Sequence, residues 1–76
     1  MKPADLAAVS WARAACLSGD ARKIREDARL TLDDMAAGCG VTRGAVWLWE
    51  TGQRVPGRDK ALAYAKLLKS LQRTAA

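Results

Sequence analysis

The chain has 76 residues, with thirteen Lys and Arg residues, eight Asp and Glu residues and no His. This length predicts one small domain over residues 1–76. Without His, most hydrolase triads and most zinc sites cannot be assembled, and two Cys are too few for the disulfide framework of a secreted mini-protein. We therefore expect no enzyme activity, no metal, no cofactor and no small-molecule ligand.

The sequence contains no segment that is typical of a membrane protein. No apolar run approaches the roughly 20 residues that a spanning helix needs. The first residues include Asp5 and lack the apolar core of a signal peptide. We expect a protein of the cytoplasm that makes no contact with membranes.

Positive charge is concentrated in the second half of the chain. Residues 1–40 hold six basic and six acidic side chains, whereas residues 41–76 hold seven basic and two acidic ones. A basic surface on one side of a domain indicates a polyanionic partner, and nucleic acid is the usual one. A solvated basic face would account for the same excess, so charge alone does not decide between the two.

The first two predicted elements are helices. Ala and Leu dominate the apolar residues, Phe is absent and only one Ile occurs, which is a composition that favours helices over strands. Pro3 suits a first helical turn, and Leu6 and Leu17 fall near helical spacing with the other apolar residues of a helix at about 4–17. A Ser-Gly-Asp break then precedes a second helix at 21–28.

A capping box and two glycine stops define the next two helices. Thr31 and Asp34 have the spacing of a capping box, so a short third helix begins there and ends near Gly40. Thr42 offers the next N-cap, for a fourth helix from Arg43 to Glu50 or Thr51.

The last predicted element is a fifth helix. A loop rich in Gly and Pro spans 53–57, and the helix runs from about Arg58 into the low seventies. Trp11 is expected to pack the first helix against the core. The sequence therefore predicts an all-α bundle of five helices.

Two short helices joined by a glycine turn form the centre of this bundle. If Leu32 is the first position of the unit, Ala36 is the small residue at the helix crossing and Gly40 is the turn glycine. The apolar positions that would bind the unit to a core are Met35, Cys39, Val41, Val46 and Trp49. This spacing resembles the DNA-binding helix-turn-helix.

Residues 21–68 as a whole resemble the Cro and phage-repressor (XRE-like) family. The residues that carry the resemblance are Ile24, Arg25, Leu30, Thr31, Met35, Ala36, Gly40, Val41, Thr42, Val46, Trp49, Glu50, Thr51, Gly52, Arg54, Pro56, Tyr64, Ala65 and Leu68. The resemblance implies a lambda-repressor-like bundle and a partly buried ion pair between Arg25 and Glu50. The helix at about 4–17 precedes the family's usual first helix, and it either covers one side of the bundle or builds a dimer contact.

The resemblance also implies that residues 42–51 are the recognition helix in the DNA major groove. The positions that match the family's base contacts are Arg43, Gly44, Trp47 and Leu48. Arg43 suits guanine, with a phosphate contact as the alternative, and Gly44 permits a close backbone approach. The expected phosphate contacts are Thr42, Thr51, Arg54, Arg58 and Lys60, with Arg22 and Lys23 at the other edge.

Apolar residues replace the family's common polar ones at Leu32, Trp47 and Leu48. Leu48 suits a thymine methyl group, whereas Trp47 suits a phosphate, a neighbouring helix or a partner protein. We therefore expect a small Cro-like transcriptional repressor from a phage, a mobile element or a chromosome. It would bind a two-fold double-stranded DNA operator as a homodimer. The alternative is a protein-interaction module such as an antitoxin.

Overall fold

The computed structural model describes residues 1–75, and within this range it contains five α-helices and no strand. The helices are α1 (Pro3–Ser18), α2 (Asp20–Asp27), α3 (Leu32–Cys39), α4 (Arg43–Glu50) and α5 (Arg58–Ala75). The prediction of an all-α bundle of five helices is confirmed, and α2 begins one residue earlier than expected. Ala76, the last residue of the expected domain, lies outside the described range.

The start of α3 is fixed by the capping box that the sequence predicts. The Asp34 N–H donates to Thr31 Oγ1 at 3.1 Å, and the Thr31 N–H donates to Asp34 Oδ2 at 2.9 Å. These two bonds satisfy backbone groups that the first helical turn leaves without partners. The bond from the Thr31 backbone also lowers the pKa of the Asp34 carboxyl group, because it stabilises the carboxylate.

The end of α2 is unusual because its left-handed residue is not a glycine. Arg29 has φ 63°. The Arg29 N–H donates to Glu26 O at 3.0 Å and the Leu30 N–H donates to Arg25 O at 3.2 Å, which is the hydrogen-bond pattern of a Schellman cap. A residue with a Cβ is strained in this conformation by about 1–2 kcal/mol. No glycine marks this helix end, so the sequence analysis did not predict its geometry.

The core has two parts. Val9 and Ala12 on α1 pack against Ala61 and Ala65 on α5, and these small side chains let the two helices pack closely. The larger part joins α3, α4 and α5 to the end of α1, and its fully buried side chains include Met35, Val46, Tyr64 and Leu68. The Trp49 and Tyr64 rings lie 5.0 Å apart between centroids at an interplanar angle of 52°. Trp11 packs against both parts, as predicted.

Two leucines of α1 contradict the predicted packing. Helical spacing groups Leu6 and Leu17 with the other apolar residues of α1, but they are 51% and 65% exposed. The inner side of α1 is formed instead by Val9, Ala12 and Cys16. An Ala-rich helix has apolar residues on more than one side, so spacing alone does not select the side that packs.

Candidate nucleic-acid interface

A three-residue connection joins α3 to α4. Gly40 has φ 68°, and the Val41 N–H donates to Ala36 O at 3.0 Å, which closes the end of α3. Thr42 then caps α4, because its Oγ1 accepts the Ala45 N–H at 3.2 Å. In that bond the hydroxyl acts as an acceptor, so its proton remains available to an external acceptor such as a phosphate oxygen.

Helix α4 has an inner and an outer side. Val46, Trp49 and Glu50 are buried, Leu48 is half-buried, and Arg43, Gly44 and Trp47 are exposed. A Cβ added at Gly44 would meet only Thr42 Oγ1, at 4.0 Å. The fold therefore does not require a glycine at this position, and the backbone of α4 is open to approach from outside.

Arg25 and Glu50 form a bidentate ion pair between α2 and α4. Arg25 Nε donates to Glu50 Oε2 at 2.7 Å, and Arg25 Nη2 donates to Glu50 Oε1 at 2.9 Å. The Arg25 side chain is 14% exposed and the Glu50 side chain is 4% exposed. The hydrogen bond to the Glu50 carboxylate raises the pKa of the Arg25 guanidinium group. The remaining nitrogen, Nη1, donates to Leu30 O at 3.0 Å, so one side chain links the end of α2 to the end of α4.

Exposed basic residues lie at the beginning of α4 and in the segment that follows this helix. Arg43, Arg54 and Arg58 are exposed, and none of them forms an ion pair within residues 1–75. Lys60 is also exposed, but its Nζ donates to Gly40 O at 3.4 Å. This contact brings the ammonium group to the turn between α3 and α4, which the sequence analysis did not anticipate.

The other two basic residues expected at phosphates contact acids of their own helix. Arg22 Nε lies 3.5 Å from Glu26 Oε2, and Lys23 Nζ lies 4.0 Å from Asp27 Oδ2. All four side chains are largely exposed, and exposed pairs of this kind contribute little. Arg22 and Lys23 can therefore exchange these acids for another anion at small cost.

Thr51 is arranged differently from the phosphate contact that the family resemblance implies. Its hydroxyl donates to Trp47 O at 2.8 Å, and its oxygen accepts from Gln53 Nε2 at 3.1 Å. A threonine hydroxyl has one proton, and here that proton is bound to the end of α4. In this arrangement the Thr51 hydroxyl has no proton to donate to a phosphate oxygen.

Arg13 is a residue of the site region that the sequence analysis missed. Its Nε donates to Pro56 O at 3.0 Å across 43 positions of sequence. Pro56 is buried, and it lies in the loop between the exposed residues Arg54 and Arg58. Helix α1 thus holds the loop that carries Arg54 and leads into Arg58 at the start of α5. No local spacing signals a contact between residues so far apart.

The fold and this interface define the class of the protein. It is a helix-turn-helix domain whose second helix, α4, is exposed on its outer side and is followed by a loop that carries Arg54. A comparison with known families matches residues 12–75 to the helix-turn-helix domain, and the chain belongs to that family. Domains of this class bind DNA, which is therefore the partner that the family supports.

Other comparisons and searches were negative. A search of curated proteins gave no significant match, and neither did a search of solved structures. Among residues 1–75, no group of three or more His, Cys, Asp or Glu side chains could hold a metal ion. In the same part of the chain, every helix is too short or too polar to cross a membrane.

Proposed function

We propose that this chain is a sequence-specific DNA-binding regulator of transcription that inserts α4 into the major groove. One observation carries the proposal. The beginning and outer side of α4 are exposed, whereas its inner side is fixed to the core and to α2 by the Arg25–Glu50 pair. A short helix held rigidly from one side is suited to present the other side to base edges.

The residues at the exposed end of α4 suit base recognition. Arg43 has a planar guanidinium group that matches O6 and N7 of guanine. Gly44 leaves room for the DNA close to the helix backbone, because a Cβ there would meet only open space and one hydroxyl. Leu48 and Trp47 offer apolar surface for a thymine methyl group, and the indole N–H of Trp47 also suits a phosphate.

Phosphates on both sides of the groove would meet the basic residues around α4. Four of the expected phosphate contacts cap the recognition helix or follow it in sequence: Thr42, Arg54, Arg58 and Lys60. Two more, Arg22 and Lys23, would bind phosphates at the other edge of the interface. The Thr51 hydroxyl joins them only after it rotates away from Trp47 O. About five such contacts give a log–log dependence of affinity on salt with a slope of about −4 to −5.

The proposed biological role is that of a small Cro-like repressor of the XRE type, encoded by a phage, a mobile element or a chromosome. One domain of this size reads few bases, so two copies would bind a two-fold operator. The role requires no catalysis, cofactor or small-molecule ligand, and it places the protein where cytoplasmic DNA is found. The net charge of +5, concentrated after residue 40, supports attraction to DNA.

Selection of bound sequences from a random DNA duplex pool tests the proposal. We expect an enriched motif, and we expect Arg43→Ala to weaken binding to it by about 1–3 kcal/mol while binding to unrelated duplex is largely kept. Arg73→Ala removes the same charge from the exposed end of α5 and is the matched control. Unchanged affinity and sequence preference in Arg43→Ala would refute the assignment of the recognition helix.

A protein-interaction module, such as an antitoxin, is the second candidate. It is favoured by Trp47, which is 48% exposed and lies on the same outer side of α4. Trp47→Ala distinguishes the two functions, because the side chain contributes little to the core. Loss of DNA affinity at unchanged stability supports a DNA surface, whereas loss of a protein complex with intact DNA binding supports a protein surface.

A further inference from the structure

The outward side of α1 is uncharged along its whole length. Six residues there are exposed and make up what we call the outer face of α1: Pro3, Leu6, Ala7, Ser10, Ala14 and Leu17. The two charged residues of this helix, Asp5 and Arg13, are half-buried on its other sides. A surface helix normally has the opposite arrangement, with its charges toward water and its apolar residues toward the core.

This face leaves two large apolar side chains in water. Leu6 and Leu17 are more than half exposed, and they stand on either side of the small residues Ala7, Ser10 and Ala14. Apart from the Ser10 hydroxyl this strip is apolar, and exposed apolar strips often contact another molecule. We infer that the outer face of α1 pairs with the outer face of a second copy of this chain, with the two helices antiparallel.

The distribution of charge favours the outer face of α1, rather than another exposed helix surface, as the place where a second copy binds. Each chain carries a net charge of +5, so two copies repel each other wherever basic surfaces meet. The exposed side of α5 carries Lys66, Lys69 and Arg73. The outer face of α1 brings no charge together, and antiparallel helices also place opposite ends of their dipoles side by side.

The sequence of the face fits an antiparallel pair centred on Ser10. In that register Leu6 of one copy lies opposite Ala14 of the other, and Leu17 lies opposite Pro3. Each leucine then meets a smaller residue, which is the arrangement that lets facing side chains interdigitate. Ala14 borders a groove whose lining includes the apolar residues Trp11, Ile24 and Leu71. Asp20, Lys23 and Asp27 also line this groove, so its apolar part alone can receive part of the opposing leucine.

The size of the face predicts a weak pair. A helix of 16 residues is about 24 Å long, and a strip one helix diameter wide covers on the order of 300 Å². Stable interfaces bury about 800 Å² per partner. Copies therefore associate weakly when free, and the pairing becomes strong only when two copies sit on one duplex. That last step rests on the proposed function, whereas the pairing itself does not.

Disulfide trapping tests the pairing without DNA. Ser10 lies at the centre of the proposed pair, so Ser10→Cys under mild oxidation is expected to yield at least tenfold more covalent dimer than Ser70→Cys. Ser70 is the matched control, since it is an exposed serine on the charged side of α5. Cys16 and Cys39 are buried and do not compete for the disulfide. Equal dimer yields from the two variants would overturn the inference.

Sedimentation equilibrium provides a second, independent measurement. Leu17→Glu places a carboxylate in the face without touching the core, and we expect it to raise the dissociation constant for self-association at least tenfold. The Tm should fall by only a few degrees, because an acid in the last turn of α1 opposes the helix dipole. Self-association that Leu17→Glu leaves unchanged would overturn the inference. Both experiments omit DNA, so their failure leaves DNA binding intact. If the protein does not bind duplex DNA, the expected disulfide yields of the two cysteine variants are still the same.

Discussion

Removal of the Glu50 carboxylate is expected to destabilise the fold more than loss of any exposed charge. Glu50→Ala leaves the Arg25 guanidinium with one remaining contact, the bond from Nη1 to Leu30 O. The Arg25 side chain is only 14% exposed, so water cannot fully replace the lost carboxylate. Removing one partner of a buried pair costs about 3–5 kcal/mol, and partial exposure of Arg25 places the expected loss near the lower end.

That loss is large for a domain of 76 residues. Stabilities of about 0.05–0.15 kcal/mol per residue correspond to a total of about 4–11 kcal/mol. Urea unfolding at neutral pH measures the change directly. Glu26→Ala is the matched control, because Glu26 pairs with Arg22 on the exposed surface of α2 at 3.5 Å. We expect it to cost less than about 0.5 kcal/mol.

A double-mutant cycle isolates the pair from the effects of each residue alone. Arg25→Ala leaves a nearly buried carboxylate without a counter-ion, so it too is expected to destabilise strongly. The double variant has no unpaired charge left, and its loss should therefore be smaller than the sum of the two single losses by at least about 2 kcal/mol. Additive losses would show that the pair contributes no coupling and would refute the reasoning.

Three further predictions concern single positions. Gly44→Ala should raise the free energy of unfolding by about 0.5–1 kcal/mol, since Ala is the better helix former and the added Cβ meets open space. The same change should weaken DNA binding if the duplex lies close to α4. Arg29→Gly should be stabilising by about 1 kcal/mol in urea unfolding, because it relieves the left-handed backbone at φ 63°, and a loss of stability would contradict the proposed strain. Burial raises the pKa of Cys16 from 9.0 to about 11. As pH rises, the thiol therefore ionises at a lower pH in the unfolded chain than in the folded one. The stability that the neutral, buried thiol contributes is present below pH 9.0 and is lost as pH rises to about 11, and the loss by pH 10 is on the order of 1 kcal/mol. Cys16→Ala should reduce the difference in stability between pH 8 and pH 10 by that amount.

The features that the sequence predicts well depend on short-range chemistry. The capping box of Thr31 and Asp34, the left-handed Gly40 and the Thr42 cap each involve residues within a few positions of one another. Such hydrogen bonds form in almost any surroundings once the helix begins, so residue type and spacing are sufficient to predict them. The geometry of the helix-turn-helix follows from these local signals.

The features that were missed depend on the packing of distant segments. The bond from Arg13 to Pro56 joins residues 43 positions apart, and it exists only because α1 packs along α5. The exposure of Leu6 and Leu17 was missed because α1 has apolar residues on both its inner and its outer side. Arg29 adopts a conformation that favours glycine, and the next residue, Leu30, accepts a bond from the Arg25 side chain that also binds Glu50 of α4. Each of these features involves contacts that residue type and local spacing leave open.

The size of α4 connects the stability of this domain with its proposed activity. A helix of eight residues is not stable in water by itself, since isolated helices shorter than about 12–15 residues are marginal. Its buried anchors, Val46, Trp49 and Glu50, begin at the fourth of its eight residues, whereas Arg43 at its beginning is exposed and follows the Thr42 cap. Loss of one of these buried side chains therefore also loosens the first turn of α4, which carries Arg43. Part of the free energy of binding would then be spent on ordering α4, so substitutions in the core weaken DNA affinity without touching the interface.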